Sequence, residues 1–128
     1  MRAFEEAVAS ELGWLLRAGV PSRGVRLTVR ELIVAQIARG PLGEREVSDA
    51  VEAAVRAACR LARELDAPDD LVSSVCRAAL EAIRGHGGES SRWMPEATGA
   101  VVAVLEELAR ERVDEPRWRW LTGRLDSM

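Results

Sequence analysis

The 128-residue sequence contains no lysine, asparagine or tyrosine, and has only one histidine and two cysteines. These gaps exclude several kinds of chemistry. A metal site needs three or four convergent ligands, and His86 has no cysteine, aspartate or second histidine at a ligand-like spacing. As a general base it lacks an identifiable orienting partner. It therefore reads as a solvated residue of a glycine-rich loop. Cys59 and Cys76 form no CxxC pair, so their spacing does not activate a thiol. P-loop, GxGxxG, HExxH, GxSxG and EF-hand patterns are absent. Adjacent acids such as Glu106 and Glu107 diverge by about 100° on a helix and do not share a site. The longest apolar run, 100–105, is too short to span a bilayer. The opening residues, acidic already at Glu5 and Glu6, do not resemble a signal or transit peptide. The expectation is a cytoplasmic, non-enzymatic chain with reduced thiols, no metal, no cofactor and no membrane partner.

Strand patterns are missing as well. No stretch alternates apolar and polar residues with β-branched enrichment and turn signals at both ends. Every basic residue is arginine, eighteen in all, against twenty-one acids. The net charge of −3 argues against a dedicated nucleic-acid binder. Charge is unevenly spread. Arg17, Arg23, Arg26 and Arg30 fall in a stretch whose flanking acids are Glu11 and Glu31, whereas 44–89 carries ten acids and six arginines. A chain of this length and hydrophobicity buries enough surface to fold as one domain without a disulfide.

What is present is helical periodicity. Phe4, Val8, Leu12, Leu15 and Leu16 lie on one face of a helix predicted over about 3–18, with Gly19 placed to end it. Thr28 and Glu31 have capping-box spacing, with Leu27 and Leu32 at the staple positions, so a second helix is predicted over 28–39. A long, alanine-rich stripe predicts a third over 44–65. Pro68 and the acids Asp69 and Asp70 open a fourth over 68–84. The third and fourth are joined by so short a turn that they should form an antiparallel hairpin. A fifth helix is expected over 95–112, with Trp93 before it, and a short sixth over 116–125. Cys59 and Cys76 lie on either side of the hairpin turn. They read as two small buried hydrophobes, or as a pair if their β-carbons approach closely.

Two features point to partners. Arg117, Trp118, Arg119 and Trp120 place tryptophans on nearly opposite sides of the sixth helix. Either one is exposed, as at protein interfaces, or both cover grooves of the same chain. Gly99 and Ala103 make a small-xxx-small pair that suits a close helix crossing, within the chain or between two chains. A phosphate-binding patch is the alternative, formed by Arg17, Arg23, Arg26 and Arg30.

Leu27, Thr28, Val29, Arg30 and Glu31, followed by Val34 and by Ile37, Ala38, Arg39 and Gly40, resemble the opening helix of LuxR-type helix-turn-helix domains. The likeness covers 27–40 and implies DNA binding only if a turn and a separate recognition helix follow. Instead, 44–65 reads as one unbroken acidic helix. The combined expectation is an all-α fold: a compact bundle of five to six helices around a central antiparallel helical hairpin. Its expected role is that of a non-enzymatic interaction or adaptor domain, self-associating as a homodimer through helix faces. The alternative is a DNA-binding regulator using the basic segment 23–30.

Overall fold

Phe4, Val8, Leu12 and Leu15 are buried on one side of the first helix, α1 (Arg2–Arg17). This is the stripe expected from their spacing. Gly19 ends the helix in the left-handed region at φ 73°. Its amide donates to the Leu16 carbonyl at 3.2 Å, and the Val20 amide donates to the Leu15 carbonyl at 3.0 Å. Together these bonds satisfy two otherwise orphaned carbonyls in a Schellman turn. The chain then reverses within a few residues. Gly24 lets it close: a Cβ there would lie 2.5 Å from Val20 Cγ1.

The second helix, α2 (Ser22–Ile37), begins earlier than the sequence signals suggest. Pro21 occupies the N-cap position with extended backbone. Thr28 is therefore not a cap. It lies inside the helix, and its hydroxyl donates to the Gly24 carbonyl at 3.0 Å. Threonine satisfies its hydroxyl in this way when it lies within a helix. Leu27 is not a staple either, since it projects outward from the helix.

The remaining described helices are α3 (Glu44–Glu64), α4 (Asp70–Arg84) and α5 (Ser90–Glu111). The computed structural model describes residues 2–39, 44–65, 70–85 and 90–111. Within them the protein is an all-α bundle of five helices. The predicted sixth helix lies outside the described residues. The fifth begins at Ser90 rather than at Pro95, so the proline is inside its early turns, where it has no N–H to give the preceding turn. Trp93 is therefore a residue of the helix itself, and it is buried in the core.

α3 touches each of the other four helices. Its buried face carries Ala50, Ala53, Ala54, Ala57, Ala58 and Ala62, and α4 answers with Ala78, Ala79 and Ala82. Side chains of one carbon let helix axes approach closely. The matching Arg-Ala-Ala segments at 56–58 and 77–79 belong to this surface. Their four alanines are fully buried.

Four placements fix the helix directions. Arg60 of α3 meets Glu6 of α1 at 3.0 Å, while Leu16 at the other end of α1 lines a notch with Leu71 of α4. α1 therefore runs parallel to α3. Ser48 donates to the Glu96 carbonyl at 3.3 Å, and Arg56 meets Glu107 at 2.7 Å, so α5 also runs parallel to α3. The intervening α2 and α4 run the opposite way. Three layers result: α1 lies on α3, α2 lies on α4, and α5 crosses the far side of α3 and α4.

Candidate interaction surface

The polar groups of the bundle are at its surface. Among the described residues, no polar or charged side chain is buried, and no group of three or more His, Cys, Asp or Glu is placed to hold a metal ion. No catalytic constellation is present among them. No helix among the described residues is long and apolar enough to cross a membrane.

The nearest approach to a charged site is a ladder across α1, α3 and α5. Arg56 bridges Glu52 at 3.0 Å and Glu107 at 2.7 Å. Arg60 bridges Glu6 at 3.0 Å and Glu5 at 3.6 Å. The hydrogen bond from Arg60 holds the Glu6 carboxyl below the ordinary carboxylate value, and the bond from Arg56 does the same for Glu107. A shallow cleft of about 250 Å³ runs along this ladder, lined by Arg2, Glu5, Asp49, Glu52, Ala53 and Arg56. Its guanidinium and carboxylate groups largely satisfy one another, as expected of a structural ion-pair network.

The two thiols are buried and are not joined in a disulfide. Burial pushes the Cys76 thiol well above its ordinary value, and the nearby Cys59 adds to the shift. They act as small core hydrophobes, the first of the two expected readings.

Of the four arginines of the expected basic patch, Arg23, Arg26 and Arg30 share one flank of α2, and Arg17 ends α1. Arg26 faces α4 and lies 3.7 Å from Glu81. Arg23 and Arg30 sit on the outer flank of α2 with Glu31 beside them. The Arg17 guanidinium folds back along α1 beside Gly13. The segment resembling a helix-turn-helix opening starts well after the first turn of α2 and, so far as it is described, runs past the helix end at Ile37.

Gly99 and Ala103 lie on the exposed face of α5, and nothing would meet a Cβ at Gly99 within 4 Å. Among the described residues, no helix crosses there. Arg117, Trp118, Arg119, Trp120 and His86 lie outside the described residues.

A different surface stands out. Among the described residues, the exposed large hydrophobic side chains are Trp14 at 61%, Leu27 at 50%, Val34 at 38% and Leu65. The first three all belong to the α1–α2 hairpin. Trp14 follows Leu12 by two residues, about 200° round the helix, so it points away from the core that Leu12 fills. Leu27 and Val34 are seven residues apart and share the outward stripe of α2. Near the other end of the hairpin, an apolar notch of about 370 Å³ opens between the helices, lined by Ala3, Phe4, Ala7, Leu32, Ala35, Gln36 and Arg39. The tryptophan went unnoticed in the sequence because it falls off the inward stripe, yet that displacement is itself the signal. No family model, curated protein or solved structure matches the chain.

Proposed function

We propose that this chain is a non-enzymatic helical interaction module of the cytoplasm that docks a protein partner on the outer face of its α1–α2 hairpin. The observation that carries the reading is the concentration of exposed Trp14, Leu27 and Val34 on one hairpin. Large apolar side chains left in water cost solubility, and a contiguous group of them usually marks a binding surface. Tryptophan in particular supplies much of the affinity at interfaces. The arginines of α2, one already paired across to α4 and flanked by Glu31, give a nucleic-acid reading less support.

The test is site-specific photo-crosslinking in the native cell. A photoreactive amino acid replaces Trp14, Leu27 or Val34, with Arg77 on the exposed side of α4 as the control. Protein adducts from the hairpin positions and not from Arg77 are the expected result. Equal labelling from Arg77, or no protein adduct from any hairpin position, would refute the reading.

A further inference from the structure

The outer face of the hairpin is complementary to itself. On α2, Leu27, Arg30, Glu31 and Val34 fall within an arc of about 100°. Their order is apolar, basic, acidic, apolar, and it is balanced about the point between Arg30 and Glu31. Both charged residues are exposed, and neither has an ion-pair partner among the described residues. An antiparallel copy of α2 laid on this stripe sets Leu27 against the partner's Val34 and gathers both copies' Arg30 and Glu31 around the two-fold axis, each Arg30 diagonally across from the partner's Glu31. Two-fold symmetry makes each of these contacts twice.

The same rotation has a consequence on α1. The notch brings Ala3 and Ala7 level with Leu32, Ala35 and Arg39. That register puts Ser10 and Glu11 level with the middle of α2, and Trp14 level with Leu27. Turning the hairpin about its middle therefore carries Trp14 over the partner's Ala7, into the notch. The exposed indole of Trp14 meets an apolar recess of the hairpin whose alanines leave room for it.

We infer that the partner on this face is a second copy of the chain: a two-fold dimer in which Trp14 of each protomer fills the other's α1–α2 notch and Arg30 pairs with the opposing Glu31. This deepens the interaction-module reading and rests on it. Two 16-residue helices per protomer present a layer of roughly 24 by 20 Å, so the contact buries on the order of 1,000 Å² in total. That is the lower end for a specific interface, and it calls for a concentration-dependent dimer.

The experiment is molar mass by light scattering across a dilution series, on the purified full chain. Circular dichroism melts check that each variant stays folded. Trp14→Ala is expected to weaken the dimer by about thirtyfold. Arg30→Glu alone and Glu31→Arg alone each place like charges in contact, so each should weaken it by about tenfold or more. Combining Arg30→Glu with Glu31→Arg should return the affinity to within about threefold of the original. A chain that stays monomeric up to about 1 mM overturns the proposal. So does a dimer that ignores Trp14→Ala, or a charge reversal that fails to rescue. A monomer whose hairpin still crosslinks to another protein would remove the second copy and leave the interaction module standing.

Discussion

The α3–α4 pair and the α1–α2 hairpin are both antiparallel helix pairs, yet they spend their apolar residues differently. α3 and α4 are covered on both sides, and their alanines serve close approach. Among the described residues, the hairpin is covered on one side only. Its inner face carries Val8, Leu12, Val29 and Ile33, all fully buried, while its outer face leaves Trp14, Leu27 and Val34 in solvent. Burial by the fold accounts for the apolar residues of the first pair. It does not account for the outer residues of the second, and these are the positions where a binding role is to be sought.

The sharpest way to break this comparison is to make the same kind of truncation in both regions. Ile83→Ala removes a fully buried side chain from α4 and should cost about 2–5 kcal/mol in urea unfolding. Leu27→Ala, on the outer face, should shift the same measurement by less than about 0.5 kcal/mol under conditions that keep the chain monomeric. A large loss at Leu27 would mean that it supports the fold rather than a partner.

Gly19→Ala tests the turn that sets the hairpin. A Cβ in the left-handed region costs about 1–2 kcal/mol, and thermal unfolding at low concentration should show it. Thr28→Ala is the smaller contrast. A helix-capping threonine is worth about 1 kcal/mol, whereas a hydroxyl bonded back to the preceding turn should be worth less than about 0.5 kcal/mol. An N-cap-sized loss would contradict the helix start at Ser22.

The smallest effect belongs to the ion-pair ladder. Glu6 and Glu107 have carboxyls held below their ordinary value of 4.5. Their contribution is present above that value and is lost as pH falls through the lower folded values. Acid titration of unfolding should therefore show a shallow loss below about pH 4.5, absent when Glu6→Gln and Glu107→Gln are combined. A loss of the same depth in that double variant would show that other carboxylates carry the acid sensitivity.

Much of the architecture was legible because helical spacing is a direct record of burial. The stripes of α1, α3 and α4 and the glycine at the end of α1 could be read residue by residue. The start of α2 could not. Thr28 and Glu31 have the spacing of a capping box, but any helix surface can carry that pair. The choice between cap and interior lies in the turn at Pro21 and Gly24, where Val20 closes over a missing side chain. Pro95 misled in the same way, because a proline in the early turns of a helix looks from sequence like its first residue. The proposed binding surface was legible only as an exception. Trp14 is conspicuous once the inward stripe is known, but complementarity between an exposed indole and a notch formed by two helices depends on their register. The attention given to Trp118 and Trp120 falls on residues that the structure does not describe.

The layering also bears on how the protein is made. Its broadest interfaces join helices two apart in chain order, α1 with α3, α2 with α4 and α3 with α5, rather than successive ones. During synthesis α1 and α2 emerge first, and the faces they will bury have no cover until α3 and α4 have followed. At translation speeds of about 5–20 residues per second, the nascent hairpin carries uncovered apolar surface on both sides for a few seconds. Over that interval the chain depends on whatever else in the cell shields it.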